Sequence, residues 1–318
     1  MPITRILLVL TTLCSIPASA AAPGERAIMV RESNIYISPD PSSQKIGTVG
    51  RGREVAIIEK SHDFLNVFAN VDSGNPELMQ PGRDLTGWIL DKGVIRTSTP
   101  NGDRVLFGEA VDSEAEASRR HGRRSAAQDA MRLYYRMAEY FPASPLAGEA
   151  MWRSADIRWQ IEKEDVKSRP SAKEREAYLR GQIEDKFMKE VMKKFSNTKW
   201  ADLAAYSLLD NKVCGDWQGL PKCPEKESEM YEKYAREHPS SPKAAEALYE
   251  AAGRQAALIE IYKQNNDSNK SASAKSRATV LAQNIIGQYA QQGDWPSRAQ
   301  RLIYMVEQGI PTYGTSID

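Results

Sequence analysis

Short apolar runs alternate with turn-forming residues over the first third of the chain. They lie at residues 27–30, 34–37, 45–49, 54–59, 64–68, 86–90 and 93–95. Pro, Gly, Ser and Asp separate these runs, and a longer excursion covers residues 72–84. Because short strands at this spacing are typical of a small barrel, the pattern predicts an all-β domain over residues 21–98.

A helical pattern begins at about residue 129 and contains a recurring motif. The motif is an aromatic residue or His, then a turn rich in Pro or Ser, then small residues three positions apart. Its two clear copies span residues 141–152 and 238–249, a degenerate copy spans 195–206, and a looser one spans 289–302. Recurrence of this kind indicates stacked helical units.

The residues of the motif predict a helical hairpin. Pro142 ends the first helix because proline cannot continue its hydrogen-bond ladder. Ser144 is expected to cap the next helix, and Pro145 suits its first turn. Ala147 and Ala150 then share a face, where small side chains let two helices approach closely. The other clear copy repeats these features with Pro239, Ser241, Pro242, Ala244 and Ala247. We therefore predict an all-α domain over residues 129–318.

Residues 99–128 are predicted to link the two domains. The segment begins with the turn sequence Thr-Pro-Asn-Gly-Asp at 99–103 and includes an arginine-rich run at 119–124, and part of it is compatible with a helix. Such a run is more often solvated chain than a site for anionic glycan or lipid.

The first twenty residues have the pattern of a secretory signal peptide. Arg5 precedes an apolar run at 6–10, Pro17 interrupts the run, and small residues occupy 18–20. We therefore expect cleavage after Ala20 and an exported protein in the periplasm or another extracytoplasmic space. Lipidation of Cys14, which would attach the chain to a membrane, is disfavoured because Leu13 is too large for that signal. No later run reaches about 18 apolar residues, so no transmembrane segment is predicted.

The charge balance argues against a nucleic-acid partner. Lys and Arg number 43 and Asp and Glu number 42. A balanced chain has no overall field that would draw it to nucleic acid.

Two cysteines remain after the predicted cleavage, Cys214 and Cys223. The segment between them is rich in Gly and Pro, which indicates a loop. In an oxidising compartment such a pair favours a disulfide, which would contribute roughly 2–3 kcal/mol by the loop-entropy estimate. A redox pair or a metal site is the alternative, but the segment offers too few other ligands for a metal.

The sequence predicts no catalytic site and no cofactor. A cysteine peptidase needs a thiol beside a histidine base. The only histidines are His62 in a barrel turn, His121 in the linker and His238 in a repeat motif. The segments 42–45 and 240–243 match Ser-x-x-Lys, yet both lie in turn sequences. We therefore predict that the protein is not an enzyme.

The N-terminal part resembles the bacterial SH3-like domain. The resemblance rests on the segment 34–39, on Ile-Gly-Thr-Val at 46–49, on Gly-Arg-Glu-Val at 52–55, and on Gly-Trp-Ile at 87–89. It implies a small β-barrel that binds cell-wall peptide or protein. Tyr36 and Trp88 are the candidate binding residues, with packing in the core as the alternative interpretation of each.

The helical part resembles tetratricopeptide-type repeats. The resemblance rests on the aromatic-Pro-x-Ser-Pro-x-Ala-x-x-Ala motif, a variant that is similar to the repeats of bacterial outer-membrane assembly lipoproteins. It implies a surface that binds protein segments. Equivalent positions 141, 195, 238 and 289 are further apart than in the regular repeat of about 34 residues, so helices or loops must be longer here.

Together these features predict a multidomain envelope protein. The preferred hypothesis is a scaffold or adaptor whose repeats bind envelope proteins and whose barrel binds cell wall or protein. The second hypothesis is peptidoglycan targeting by the barrel, with the repeats as a spacer. The third is a cell-wall hydrolase whose catalytic residues have no familiar motif.

Overall fold

A computed structural model describes residues 24–71 and 83–313 of the chain. The predicted signal peptide, Cys14 and all but the end of the 72–84 excursion lie outside the described residues. The chain divides into a unit of residues 1–99 and a unit of residues 100–318. Among the described residues, no helix combines the length and the apolar character needed to span a bilayer.

The first unit contains an antiparallel sheet with the strand order β3-β2-β6-β5-β4-β1-β7. The strands are β1 (Glu25–Met29), β2 (Ser33–Tyr36), β3 (Lys45–Val49), β4 (Glu54–Ser61), β5 (Phe64–Val71), β6 (Arg83–Leu90) and β7 (Val94–Arg96). Each of the seven apolar runs in the sequence forms a strand, so that prediction is confirmed. The β-domain is followed by helices, which confirms the predicted β-then-α layout.

Alternation of side chains along the central strands, seen best in β5, separates a core face from an outer face. In β5, Leu65, Val67 and Ala69 are buried, whereas Phe68 between them is 46% exposed. Ile35 of β2 and Ile89 of β6 join the same core. This two-residue period is what a half-buried antiparallel sheet produces.

The second unit is helical. Its helices are α1 (Gly102–Ala117), α2 (Ala126–Tyr140), α3 (Ala147–Ser168), α4 (Lys186–Lys194), α5 (Lys199–Ser207), α6 (Lys222–Glu237), α7 (Ala244–Gln264), α8 (Ser268–Gln288) and α9 (Trp295–Glu307). Short 3-10 turns at 170–173, 177–179 and 208–212 interrupt the longer connections. The helices pack mainly against their neighbours in the sequence. The charged segment that starts at Glu162 continues α3 to Ser168 and then forms an irregular connection to α4.

The four copies of the motif occupy equivalent places between helices. Phe141, Phe195, His238 and Tyr289 directly follow α2, α4, α6 and α8. Their backbone angles are nearly the same, with φ from −127° to −122° and ψ from 31° to 58°. The prediction that each motif joins two helices is confirmed.

The predicted helix caps are wrong by two positions. Helix α3 starts at Ala147, and the Ser144 hydroxyl accepts a hydrogen bond from the backbone N–H of Leu146 at 3.3 Å. The Ser241 hydroxyl likewise accepts a hydrogen bond from the backbone N–H of Lys243 at 3.1 Å. The serines cap a turn that precedes each helix, because a backbone bond from the alanine N–H to the serine carbonyl closes that turn first. The motif alanines are fully buried, as expected.

The segment predicted as a linker is largely helix. Helix α1 covers residues 102–117 and packs against α2. Leu106 and Ala110 lie one turn apart on α1 and are fully buried. This apolar face holds the helix against its neighbour. The turn residues at 99–103 only mark where the helix starts, with Asn101 in the left-handed region at φ 53°.

Candidate binding surfaces

The two candidate residues of the sheet unit lie side by side. Tyr36 of β2 is directly opposite Trp88 of β6. Both side chains are half-buried on the outer face of the sheet, since their neighbours Ile35 and Ile89 point into the core. The structure therefore places Tyr36 and Trp88 on one surface rather than in the core.

Gly87 makes this approach of β2 to β6 possible. A Cβ atom at Gly87 would lie 2.6 Å from Cγ2 of Ile35 and 2.7 Å from the carbonyl oxygen of Tyr36. Both distances are shorter than a carbon atom tolerates, so only glycine fits here. The glycine before Trp88 thus has a positioning role.

The aromatic pair is bordered by polar and aromatic neighbours. Asn66 of β5 lies opposite Trp88, and its side-chain amide donates to Oε1 of Glu59 at 3.0 Å. Phe64 contacts Tyr36 edge to face, with ring centroids 6.4 Å apart. We call the two aromatic residues Tyr36 and Trp88, together with the bordering Asn66, the aromatic stripe. Flat rings beside amide and carboxylate groups can hold a sugar ring or a peptide by stacking and hydrogen bonding.

A second surface begins around Arg153 of α3. Its guanidinium contacts Oε2 of Glu114 on α1 at 2.9 Å and Oε1 of Glu149 at 2.8 Å. The Tyr134 hydroxyl donates to the same Glu114 oxygen at 2.7 Å. Burial, and then the adjacent Glu114 carboxylate, raise the pKa of Tyr134, so this phenol remains a hydrogen-bond donor.

Asp156, one turn further along α3, is the least compensated acid of this surface. Its carboxylate accepts a hydrogen bond from the Gln160 amide at 3.3 Å. Burial raises the pKa of Asp156 and Glu114 raises it further, while Lys243 and Lys163 oppose the shift. Lys243, the residue before α7, thus contributes to the electrostatic environment of Asp156.

Ion pairs continue the surface toward α7. Nζ of Lys163 lies 2.7 Å from Oδ2 of Asp210, and Nζ of Lys243 lies 2.6 Å from Oε2 of Glu246. The Tyr206 hydroxyl also donates to Glu246, at 3.1 Å. The charged strip is the set Arg153, Asp156, Lys163, Asp210, Lys243 and Glu246. Its alternating signs suit a partner that carries both acidic and basic groups.

The charged strip was not predicted from the sequence. Arg153, Asp156, Gln160 and Lys163 are spaced three, four and three residues apart, which places them on one helix face. That spacing was available as a signal. Lys243 could not be grouped with them, because nothing local in the sequence shows that it influences Asp156.

The predicted disulfide between Cys214 and Cys223 is present, with the two Cα atoms 6.0 Å apart. The loop that it closes is held by Glu227 of α6, which is 1% exposed. The Glu227 carboxylate accepts from the N–H of Cys214 at 2.9 Å and from the Trp217 indole at 3.2 Å. Arg254 of α7 compensates its charge at 3.1 Å. The loop is therefore fixed to α6 and α7.

The remaining residues of interest lie in separate turns. His62 occupies the turn between β4 and β5, and His121 is exposed in the turn after α1. Nδ1 of His238 lies 2.8 Å from Oδ1 of Asp202 and ties the α6–α7 turn to α5. Arg119 pairs with Glu116 at 2.7 Å. Within residues 24–71 and 83–313, no cluster of three or more His, Cys, Asp or Glu side chains could hold a metal ion.

Comparisons with known proteins give no family. No family model matches the chain, and no curated protein matches it. A solved structure titled "DHF58 filament" is 17% identical, with a TM-score of 0.24, and the match covers 65% of this chain and 91% of that one. A similarity this low supports neither a fold nor a function.

Proposed function

We propose that the chain is an exported, non-enzymatic scaffold or adaptor of the bacterial envelope. In this proposal the helical unit is a tetratricopeptide-type array that binds segments of envelope proteins. The sheet unit is an SH3-like barrel that binds a cell-wall peptide or a second protein. The charged strip on the stacked helical hairpins is the observation that carries the proposal.

The geometry of the helical unit supports a repeat array. Four motif turns with matching backbone angles join α2–α3, α4–α5, α6–α7 and α8–α9. Packing between sequence neighbours is how repeat proteins build a continuous core from separate hairpins. Such arrays present extended surfaces, which suit protein segments better than small molecules.

Curling of the sheet supports the SH3-like assignment. Strand β3 contacts β5, although two strands separate them in the sheet order. A sheet that brings such strands together is strongly curved, as a small barrel requires. The segments that carry the resemblance lie in β2, β3, β4 and β6.

The disulfide supports export. Cys214 and Cys223 are bonded and buried, and structural disulfides persist mainly in oxidising compartments. The same bond consumes the two thiols that a cysteine hydrolase would need after removal of residues 1–20, which favours a binding role over catalysis.

An affinity-purification experiment tests the adaptor role. Tagged whole chain is incubated with envelope extract, alone and as the neutralised variant Asp156→Asn with Lys243→Gln. A matched control, Asp112→Asn with Lys275→Gln, removes one acid and one base from exposed positions on α1 and α8. We expect the wild type and the control to recover the same proteins and the strip variant to recover at least about fivefold less.

Two results would contradict the adaptor role. One is that the wild type recovers no envelope protein above background. The other is that the strip variant recovers its partners as well as the wild type does, while its circular dichroism shows an intact fold.

Cell-wall binding by the sheet unit is the alternative, favoured by the aromatic stripe. Sedimentation with purified sacculi distinguishes it. If the stripe binds peptidoglycan, the wild type and a Phe68→Ala control sediment with the sacculi and Trp88→Ala stays in solution. Wild-type protein that stays in the supernatant would exclude this alternative.

A further inference from the structure

A groove beside the disulfide shares no lining residue with the charged strip. Its volume is about 550 Å³, within the size range of ligand sites. One side is the irregular connection between α3 and α4, and the other is the disulfide loop with the start of α6. The four motif turns do not contribute to it.

The two sides of the groove are held together by specific bonds. Asn211 donates to the carbonyl oxygen of Ile183 at 2.8 Å and accepts from its N–H at 2.9 Å. The Arg180 guanidinium donates to the carbonyl oxygen of Val213 at 2.6 Å. At Gly215 an added Cβ would lie 2.3 Å from the Glu174 carbonyl oxygen, so the two segments are in close contact. The groove is therefore preformed, which lowers the entropy cost of binding.

The groove is lined mostly by apolar groups. Ala177, Met230 and the Cys214–Cys223 disulfide contribute to the lining. Tyr178 stands beside them with 77% of its surface exposed. Tyrosine is among the residue types that most often anchor an interface once a partner covers them.

The charges at the groove are predominantly positive. Lys212, Lys222 and Lys226 lie along it, against the single carboxylate of Glu176. Glu176 is already paired with Lys222 at 3.3 Å. Lys212 and Lys226 are exposed, and neither forms a salt bridge with a described residue. The groove therefore complements a ligand with an apolar centre and acidic flanks.

We propose that this groove binds an extended segment of a partner protein in which apolar side chains are flanked by acidic residues. The apolar side chains lie against Met230 and Tyr178, and the flanking carboxylates contact Lys212 and Lys226. This inference rests on the adaptor function proposed above and adds to it the chemistry of one partner.

Fluorescence anisotropy with a labelled peptide tests the groove. The probe is a fluorescein-labelled hexapeptide, Glu-Asp-Leu-Phe-Glu-Asp, added to the whole chain with its disulfide intact. We expect saturable binding that weakens as salt is added. The double variant Lys212→Glu with Lys226→Glu should raise the Kd at least about tenfold. A control with the same charge change, Lys193→Glu with Lys275→Glu, should leave the Kd within about twofold.

The apolar part of the groove is tested separately. Tyr178→Ala should raise the Kd about fivefold, and because Tyr178 is exposed, its truncation leaves the core packing unchanged. A probe with Ser-Gly in place of Leu-Phe should bind correspondingly weakly, and one with Lys in place of every acid should not bind. Equal binding of the acidic and basic probes, or an unchanged Kd in the Lys212/Lys226 variant, would overturn the proposal.

Two outcomes separate this proposal from its alternatives. Binding of vesicles containing phosphatidylglycerol, lost in the Lys212/Lys226 variant, without binding of the peptide, would assign the groove to lipid and overturn the peptide proposal. Absence of peptide binding while envelope proteins are still recovered through the charged strip would overturn the groove alone. Recovery of no envelope protein by the wild type, together with absence of peptide binding, would overturn the adaptor function as well.

Discussion

The sheet unit and the helical unit build their candidate surfaces in different ways. The two-residue period places Tyr36 on the outer face of β2 and Trp88 on the outer face of β6, but their pairing joins strands that are far apart in the sequence. Asp156 on α3 and Lys243 just before α7 are likewise distant in the sequence, and Lys243 influences the Asp156 carboxylate electrostatically. The face on which a strand side chain lies can therefore be inferred from local pattern, whereas a surface on a helical array depends on how the repeats stack.

The largest expected effect concerns the link between the disulfide loop and α6. Glu227→Ala removes a buried carboxylate that binds Cys214, Trp217 and Arg254. Because the Cys214 N–H and the Trp217 indole lose their acceptor and Arg254 keeps only Glu250 among the described acids, we expect the free energy of unfolding to fall by about 3–5 kcal/mol. Urea unfolding followed by helical circular dichroism measures it. A loss below about 1 kcal/mol, typical of exposed pairs, would contradict this account of the loop.

The next largest loss of stability is expected from a substitution at the sheet surface. Gly87→Ala places a methyl group against Ile35 and the Tyr36 backbone, so we expect a loss of about 3 kcal/mol. Hydrogen exchange should show the loss in β2 and β6 while the helical unit keeps its protection. Gly253→Ala in α7, where nothing lies within 4 Å, is the control and should stabilise slightly. Unchanged exchange in β2 would contradict the positioning role of Gly87.

A similar but smaller effect is expected from the disulfide. Replacing both Cys214 and Cys223 by Ala should lower the free energy of unfolding by about 2–3 kcal/mol, because the bond lowers the conformational entropy of the unfolded chain. Reducing the wild type should produce the same shift, and adding reductant to the double variant should change nothing. Equal free energies of unfolding for the reduced and the oxidised wild type would contradict the stabilising role of the bond.

The smallest effect is the pH dependence of the charged strip. The folded pKa of Asp156 lies above its ordinary value of 3.8, so the folded state binds more protons than the unfolded state between the two values. Stability should therefore fall as pH rises through that window and stay level above it. Asp156→Asn should remove this fall and be at least as stable as the wild type at neutral pH. The exposed Asp112→Asn variant is the control, and an equal pH slope in all three proteins would contradict the assignment.

Particular residues show how far the sequence could be interpreted. The strands were predictable because apolar runs and turn residues alternate regularly, and the motif turns were predictable because Pro and small residues recur. Helix α1 was predicted only as a possible part of a linker, because its apolar residues are not confined to one face: Val105 and Val111 are exposed, while Leu106 is buried. The loop contacts of Glu227 and the groove near Tyr178 depend on irregular backbone, which has no periodic signal.

Photo-crosslinking in living cells tests the central claim most directly. A photoreactive amino acid replaces Gln160, an exposed residue of α3 that contacts Asp156 in the charged strip. The same substitution at Lys275, exposed on α8, is the control. The adaptor account predicts a discrete crosslink to an envelope protein from position 160 and none from position 275. No crosslink at 160, or the same products at both positions, would contradict the account.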